Sequence, residues 1–475
     1  MADETAMRES RWARWIGLDR AFVALALIVG NALVIIVPPF QAADEGQHFF
    51  RAWQITQGQF ISRETTDTGE AGGRLPSSVN DFFQRFWPMA MHPERKTTAK
   101  YIFDAFKIPL EPGNVALVEF GNTAHYCPIG YFPQCLGIGI GRMLSLPLPM
   151  MLYFAREANL IVFTLLGYFS LRFAPAIARP VFLLLLIPTM LCLAASASAD
   201  VLSDGLAILF TALVCRYYAA GEQSIGLQAF LILLAVSLPL SVQKYVYVPL
   251  LAILLLVPAT NFSGYRRKAA MIMLLLAINI VAVSAWAVST SSLDTRITVQ
   301  PNVSPSRQFA LLEQHPFRVV RLSWNTARDA GWYICTTYVA VIGWMDLNFP
   351  PSIVLAYFCI LIFACWTAGD WPLLPSPGNT ALVVLPIVIA SCLGIGLLNY
   401  FYWTAVGSSH VVGLQGRYFF PLTPAVFVLA CSAARRLPRP HSTPRMETRL
   451  NFAMIFISAL FSASLVISIW SRFYG

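Results

Sequence analysis

Two adjacent carboxylates and a histidine follow the first long apolar stretch of this chain. In the run Pro38–His48, Asp44 and Glu45 stand side by side, and His48 comes one helical turn later. Ionisable groups are costly so close to hydrocarbon, so a cluster of them there indicates a functional site. Such a carboxylate can take a proton from an acceptor hydroxyl or bind a metal ion. The structural alternative is that Asp44 caps a helix, with Gln47 in the position of a capping box.

Three further charged residues lie at the ends of other apolar stretches. Asp200 either caps the following helix, or belongs to the site, where it would orient an acceptor or share a metal ion with Asp44. Lys244 interrupts an otherwise unbroken apolar run, which favours a phosphate partner over a side chain that merely extends to the membrane surface. Arg417 lies on the predicted outer side, against the usual bias of arginine toward the cytoplasm. That placement favours a bound anion over a salt bridge with a nearby carboxylate.

Aromatic residues accompany these charges. His125 and Tyr126 precede the apolar segment Pro128–Leu146, and Tyr245 directly follows Lys244. A lone histidine in such a place is more often structural than functional, and both interpretations stay open for His125. The sequence contains no GxSxG elbow, HExxH, P-loop or EF-hand spacing, so hydrolase, metalloprotease and nucleotide-phosphate chemistry of those kinds lack support.

Composition places the protein in a membrane. Apolar residues make up 57% of the 475 residues and charged residues only 12%, and the mean hydropathy is +0.62. A soluble domain has about twice that charged fraction, so the protein is polytopic rather than soluble. The net charge of +9 falls in short clusters between apolar stretches. That distribution is typical of topology signals and not of a surface that binds nucleic acid.

About eleven membrane spans are predicted, because a span needs roughly 20 apolar residues. Arginines before the first span, Arg20 among them, put the N-terminus in the cytoplasm. Prolines inside spans, at Pro188, Pro239 and Pro386, predict kinks. The predicted spans are 21–38, 153–172, 180–199, 205–219, 227–243, 245–259, 270–289, 351–369, 381–403, 418–434 and 452–471.

The fold class predicted is all-α, a single transmembrane helical bundle over 1–475. Residues 40–150 form a long first external loop with interfacial helices, and residues 290–350 form a second long external loop. Within the first loop, Pro128–Leu146 is predicted to be an interfacial or re-entrant helix. Counting it as a span would place the basic cluster Arg266–Lys268 outside, against the charge bias of cytoplasmic loops.

With this topology, ionisable groups from separate loops share one depth near the external boundary. A helical bundle can gather such groups around one cavity, and this convergence is the main argument for a site. The groups concerned are Asp44, Glu45, His48, His125, Asp200, Asp204, Lys244, Asp346, His410 and Arg417.

From the acidic pair onward, the chain resembles the C-type superfamily of integral-membrane glycosyltransferases (GT-C), which use polyprenyl-phosphate sugars. It resembles more closely an uncharacterised bacterial family of polytopic membrane proteins placed in that superfamily. The features that carry the resemblance span nearly the whole length. They are Pro39 with Asp44-Glu45-x-x-His48, His125-Tyr126-x-Pro128, Arg156-x-x-Asn159, Ser196-x-Ser198-x-Asp200, Lys244-Tyr245, Gly343-Trp344-x-Asp346 and Gly416-Arg417-Tyr418.

The resemblance implies a GT-C-like fold and a glycosyltransferase. The donor would be a polyprenyl-phosphate sugar, and the acceptor a lipid-linked glycan or another hydroxyl of the cell envelope. The site would face outward from the cytoplasmic membrane, with membrane lipid around it. The implied roles are a catalytic base for Asp44 with Glu45 or Asp200 as helper, a divalent cation (Mg or Mn) on Asp44 and Asp200, and substrate binding by His48, His125, Tyr126, Lys244, Tyr245 and Arg417.

Two other functions stay open from the sequence. A transporter or flippase of lipid-linked saccharides would have charges and broken helices near the bilayer midplane and two halves related by a repeat. The predicted charges crowd one boundary, and the sequence shows no repeat. A membrane scaffold that only binds lipid phosphate is the other alternative.

Overall fold

Helices make up most of the protein. The computed structural model describes residues 17–65, 71–293, 302–368, 373–438 and 443–475. In chain order the α-helices are α1 (Leu18–Ile36), α2 (Glu45–Thr56), α3 (Ser77–Phe86), α4 (Ala99–Asp104), α5 (Gly121–Ala124), α6 (Phe132–Met143), α7 (Leu148–Phe173), α8 (Ala178–Leu185), α9 (Pro188–Ala194), α10 (Asp200–Ala219), α11 (Leu227–Gln243), α12 (Tyr265–Ser289), α13 (Pro305–Gln314), α14 (Arg318–Val339), α15 (Pro351–Trp366), α16 (Pro377–Trp403), α17 (Thr423–Ala433) and α18 (Pro444–Phe473).

Seven helical segments within the described ranges are long and apolar enough to cross a membrane. They are α1, α7, α10, α12, α16, α18 and the segment Gly416–Arg436, which contains α17. Helices α8 and α9 form an eighth if their bent pair is one span, while α11, α15 and Tyr245–Leu256 are apolar but shorter. Each predicted span overlaps one of these elements. The count of eleven stays a prediction because it depends on the short ones.

The predicted span 180–199 is broken rather than straight. The segments Pro175–Leu185 and Pro188–Ala194 meet at an angle of 76°. Pro188 is the first residue of α9, where its missing N–H costs nothing but the preceding helix cannot continue through it. The kink predicted at Pro188 is therefore confirmed. Pro239 and Pro386 lie inside the continuous helices α11 and α16.

Tyr245–Leu256 is a 3-10 helix and not the α-helix that a predicted span implies. Pro249 lies inside it and offers no N–H to an α-helical ladder. A 3-10 helix rises about 2.0 Å per residue, so this segment is longer than an α-helix of the same residue count. It packs against α11 and α16. Lys244 lies at the junction where α11 ends and this tighter helix begins.

The first loop contains a small sheet that an all-α prediction lacks. Strands β1 (Glu64–Thr65), β2 (Ala71–Pro76) and β3 (Val115–Glu119) pair antiparallel in that order. The sequence of β2 includes two glycines and lacks the alternating apolar residues by which a strand is usually recognised. A Cβ at Gly72 would overlap the carbonyl oxygen of Val118, so close backbone approach explains the glycine.

Buried aromatic rings hold the first loop together. The ring of Phe40 lies 4.9 Å from that of Phe82 and 5.4 Å from that of Phe83, and Phe49 lies 5.7 Å from Phe40. All four side chains are buried. Aromatic contacts of this kind are worth about 0.5–1.5 kcal/mol each beyond their buried area. They fix α2 and α3 against the turn that carries the acidic pair.

Helix α6 lies where the sequence predicts an interfacial or re-entrant helix, and its 12 residues are too few for a span. It packs against α7 and α2. A Cβ at Gly137 would overlap the backbone of Phe154, and one at Gly141 would meet the side chain of Met151. These two glycines therefore allow α6 and α7 to approach closely, while Gly139 faces open space.

The second loop contains α13 and α14 and a hairpin of β4 (Val341–Ile342) with β5 (Leu347–Asn348). The C-terminal end of α18 lies against this hairpin and against the first loop. Arg472 donates to the carboxylate of Asp346 at 2.5 Å and to the carbonyl oxygen of Met89 at 3.0 Å. Both long loops are therefore joined by one end of the last helix.

Candidate functional site

The turn between α1 and α2 has an unusual backbone. Phe40 and Asp44 both adopt left-handed conformations, with φ of 63° and 60°. A residue other than glycine pays about 1–2 kcal/mol for such a conformation, and it persists only where neighbours fix it. Here the indole N–H of Trp344 donates to the carbonyl oxygen of Phe40 at 3.0 Å, and the Gln41 amide donates to that of Phe86 at 2.9 Å. Strain of this kind is typical of functional turns.

Glu45 is fully buried in a paired bridge with Arg156. The guanidinium donates to both carboxylate oxygens, each at 2.7 Å, and neither side chain is exposed. The backbone N–H groups of Phe40 and Ala197 donate to the same two oxygens, each at 3.0 Å. Both oxygens are thus occupied. This geometry indicates that Glu45 holds the turn in position. It does not favour the role of catalytic helper that the resemblance implies for Glu45.

Asp44 is the accessible carboxylate of the pair. It occupies the N-cap position of α2, but its side chain makes no capping hydrogen bond. Instead, Arg417 donates to one of its oxygens at 2.7 Å. The Asp44 side chain is 33% exposed, and that of Arg417 is 8% exposed. The capping interpretation of Asp44 is therefore wrong, and the carboxylate is available to a substrate beside a buried cation.

Asp200 and Lys244 form a second ion pair, with Nζ and a carboxylate oxygen 2.6 Å apart. Their side chains are only 11% and 14% exposed. Asp200 opens α10, and Gln243 at the end of α11 donates to the carbonyl oxygen of Ala199 at 2.7 Å, which brings these two helix ends together. Lys244 also lies 5.7 Å from the centre of the Tyr126 ring. Lys244 therefore lies inside the protein and is not a side chain that extends to the membrane surface.

His48 lies among these charges. Its Nδ1 is 2.9 Å from the hydroxyl of Tyr131, and the histidine is buried. Burial lowers the pKa of His48, which keeps the ring neutral, although nearby carboxylates act in the opposite direction. The charged residues that act electrostatically on it are Asp200, Asp44, Lys244 and Arg417. Charged residues from four parts of the chain are therefore close enough to act electrostatically on one imidazole.

The remaining predicted substrate-binding residues have different surroundings. The rings of His125 and Tyr126 are 4.6 Å apart, and Tyr126 lies 6.1 Å from His48. Burial lowers the pKa of His125 to about 4 and raises that of Tyr126 to about 12. The carbonyl oxygen of His125 accepts from Trp286 at 2.8 Å. Tyr245, in contrast, is 49% exposed.

Some neighbours of the site were not predicted as site residues. Tyr247, two residues after Tyr245, is buried and donates to the carbonyl oxygen of Tyr418 at 2.8 Å, next to Arg417. Tyr131 meets His48, and Arg156 holds Glu45. The signal for Arg156 was available, since an arginine within an apolar span demands a buried partner.

Asp44 and Asp200 do not fit the divalent cation that the resemblance implies. Within the ranges that the structure describes, no group of three or more His, Cys, Asp or Glu side chains is arranged to hold a metal ion. Asp44 is paired with Arg417, and Asp200 with Lys244. Magnesium and manganese sites favour several oxygen ligands without competing cations. The two carboxylates are better described as partners of basic side chains.

A narrow cleft, partly open to solvent and with about 40 Å³ of room for water-sized molecules, lies beside the accessible ion pair. Ala42 and Ala43, directly before Asp44, form part of its wall, and Arg417 forms another part. Much of the remaining wall is apolar, including Leu193 of α9 and Phe473 of α18. A charged group next to an apolar chamber suits a ligand that has one anionic and one apolar portion.

A family model described as predicted membrane protein (DUF2142) matches residues 27–426, which is most of the chain. The matched range includes the acidic pair, both ion pairs and the broken span. No curated protein matches the chain.

Proposed function

This chain belongs to that family of membrane proteins, and we propose that it is a GT-C-type glycosyltransferase. It moves a sugar from a polyprenyl-phosphate donor to an envelope glycan or lipid acceptor. The protein lies in the cytoplasmic membrane with its N-terminus inside, and its site faces outward. The single observation that carries this proposal is the ion pair of the partly exposed Asp44 with Arg417, whose side chain lines a largely apolar cleft.

The two side chains of this pair suit the two ends of a sugar transfer. Asp44 takes the proton from the acceptor hydroxyl as its oxygen attacks the anomeric carbon of the donor. The bond between that carbon and the phosphate oxygen breaks, and the electron pair leaves with the polyprenyl phosphate. The guanidinium of Arg417 stabilises the charge that develops on this leaving group. Attack from the side opposite the phosphate inverts the configuration at the sugar.

The second ion pair, Asp200 with Lys244, contributes to the electrostatic potential of the site. Asp200 and Lys244 are less exposed than Asp44, and Lys244 acts electrostatically on the same imidazole as Arg417 does. In this proposal Lys244 adds positive potential at the phosphate position, while Asp200 holds its ammonium group in place. A neutral His48 between the pairs keeps the local charge balanced, because a third cation would weaken the base.

Transport of lipid-linked saccharides is supported less well. The charges of the site lie at the ends of helices: Asp200 begins α10, Lys244 follows α11, and Arg417 lies at the start of the segment Gly416–Arg436. Transporters place such groups at broken helices near the bilayer midplane. Of the broken pair α8 and α9, the residues that line the cleft are Thr189, Cys192 and Leu193, none of which is an acidic or basic residue.

The proposal is tested by mass analysis of envelope glycans in a strain from which the gene is deleted. The deletion is expected to remove one sugar residue, and the unchanged gene to restore it. Asp44→Asn is expected not to restore it, although the protein reaches the membrane in normal amount. Asp329→Asn is the matched control, because Asp329 is exposed and its carboxylate pairs with the neighbouring Arg328. Full restoration by Asp44→Asn would leave transport or scaffolding as the better function.

A further inference from the structure

We propose that the exposed face of α1 is the interface of a homodimer, in which a stripe of four residues packs against the same stripe of a second copy of this chain. The stripe consists of Ala24, Ile28, Asn31 and Ile35. Its central contact is a pair of hydrogen bonds between Asn31 and Asn31 of the second copy. The inference concerns assembly in the membrane and does not depend on the proposed sugar transfer.

The stripe has the spacing of a seam between two helices. Its four residues are all exposed and follow one another at intervals of four, three and four residues. Ile28 is 71% exposed and Ile35 is 67% exposed. Alternating intervals of three and four keep one line of side chains facing a partner helix in a left-handed pair. The remaining faces of α1 pack against other helices, α7 and α18 among them, so the stripe is left for a partner outside the chain.

Asn31 distinguishes this stripe from an ordinary lipid-facing surface. Lipid satisfies exposed isoleucines, whereas an amide that faces hydrocarbon has no water to bind. The amide donates within its own helix to the carbonyl oxygen of Leu27 at 2.9 Å, while its side-chain oxygen accepts from no group in the described part of the chain. By contrast, Asn159 of α7 and Asn279 of α12 are buried and donate to neighbouring segments. Asn31 therefore needs a partner that the single chain does not supply.

Glu157 places a second polar group beside the stripe. It lies within α7, more than two turns from either end of that 26-residue helix, and Asn31 is its hydrogen-bonding neighbour. A carboxyl group inside a membrane-crossing helix is costly and is typical of a functional contact. Packing a second copy over the stripe would remove both polar groups from contact with lipid hydrocarbon.

A second copy of the chain fits the stripe better than a different protein does. Two copies in one membrane share one orientation, so a two-fold axis along the membrane normal sets α1 parallel to α1 and Asn31 against Asn31. An amide has both donors and an acceptor, so the two side chains satisfy each other reciprocally. A single asparagine in such a seam also fixes the register of the two helices. The stripe carries no charge that a charged partner would match.

Disulfide cross-linking of the full chain in lipid vesicles tests the geometry. Ile35→Cys is expected to give a covalent dimer on copper-catalysed oxidation, because a residue on a two-fold seam meets its own copy. Ile467→Cys in α18 is the matched control, since Ile467 is 68% exposed and lies outside the stripe. The control is expected to give no more dimer than the unchanged chain, whose own cysteines set the background. Equal cross-linking at both positions would overturn the interface.

Energy transfer between donor-labelled and acceptor-labelled copies, followed on dilution with lipid, measures the dissociation constant of the dimer. Asn31→Leu is expected to weaken the dimer about tenfold through the loss of interhelical hydrogen bonds, and Asn31→Gln to retain most of the affinity. Asn399→Leu is the matched control and is expected to change nothing, because Asn399 donates in the same way to the carbonyl oxygen four residues earlier, that of Ile395, at 3.0 Å. An unchanged chain that stays monomeric, or an Asn31→Leu variant that dimerises as tightly, would overturn the inference while leaving sugar transfer untouched.

Discussion

Asp44 and Glu45 are neighbours in the chain, yet their surroundings differ in every respect that matters for chemistry. Glu45 is fully buried and receives four hydrogen bonds, two of them from Arg156. Asp44 keeps a third of its side chain exposed and meets one guanidinium. A base must be reached by the hydroxyl that it deprotonates. The two residues therefore divide into one that holds the turn and one that faces a ligand.

Breaking the buried pair is expected to be costly. Arg156→Gln leaves the Glu45 carboxylate buried without its cation, so it should lower the free energy of unfolding by about 3–5 kcal/mol. The exposed pair of Arg328 and Asp329 provides the control, and Arg328→Gln should cost less than about 1 kcal/mol. Thermal unfolding of the purified variants in detergent measures both. Equal unfolding midpoints would contradict the assigned place of Glu45.

Because His125 is buried, we expect the free energy of unfolding to depend on pH. Its pKa is lowered to about 4 by burial, so the folded protein keeps this ring neutral while the unfolded chain takes up a proton below its ordinary pKa of 6.5. The free energy of unfolding should therefore be at its full value above pH 6.5 and fall as the pH drops toward 4. His125→Gln should flatten this dependence, as measured by unfolding midpoints across that range. An unchanged slope in the variant would show that other groups cause it.

At the scale of elements, the close packing of α6 on α7 positions the C-terminal part of the first loop. The Cβ of Gly137→Ala would overlap the backbone of Phe154, which cannot move as a flexible side chain can. This substitution should cost about 1–3 kcal/mol of unfolding free energy. Gly139→Ala in the same helix meets nothing and should be neutral or stabilising by up to about 1 kcal/mol. The pair of unfolding midpoints is the measurement, and identical values would contradict the packing.

Apolar length and charge bias predicted the helices well, because each depends on local sequence. The helices α1, α7, α10, α12, α16 and α18 lie where the spans were predicted. Local sequence did not predict the sheet in the first loop, since β2 depends on its partner β3, more than 35 residues later, rather than on an alternating pattern. It also missed the 3-10 form of Tyr245–Leu256, which Pro249 imposes on an otherwise ordinary apolar run.

The membership of the site could be predicted only in part. Asp44 pairs with Arg417 and Asp200 pairs with Lys244, and all four charges act electrostatically on His48. Which side chain faces a ligand depends on backbone conformation and on partners distant in sequence. The pairing of Asp44 with Arg417 joins residues at opposite ends of the chain, and no local pattern encodes it. For the same reason Glu45 and Tyr245 resembled site residues, while Tyr247 and Thr189 did not.

At the scale of the whole molecule, the C-terminal end of α18 connects the two long loops to each other. Arg472 bonds to Asp346 of the hairpin and to the carbonyl oxygens of Met89 and Arg95 in the first loop. Lys96 donates in return to the last carbonyls of α18, at Ser471 and Arg472. Because the hairpin also holds the turn before Asp44, through Trp344 and Phe40, this link supports the site from a distance.

Loosening that link is expected to loosen both loops together. Arg472→Gln removes the ion pair with Asp346 and most of the carbonyl contacts, so hydrogen exchange should become faster in 87–97 and in 341–348 alike. Arg445→Gln, at the other end of α18, is the matched control and should leave both segments unchanged. Faster exchange in only one of the two segments would contradict a shared link.

The most direct test of the account is the rate at which the purified protein releases polyprenyl phosphate from labelled polyprenyl-phosphate sugars in nanodiscs. With an acceptor present, the unchanged protein is expected to transfer the sugar, and Asp44→Asn to transfer it at least about 100-fold more slowly, the usual contribution of a positioned base. The variant should keep the unfolding midpoint of the unchanged protein in detergent, which separates lost chemistry from lost folding. An Asp44→Asn protein that transfers sugar as fast as the unchanged protein would contradict the account.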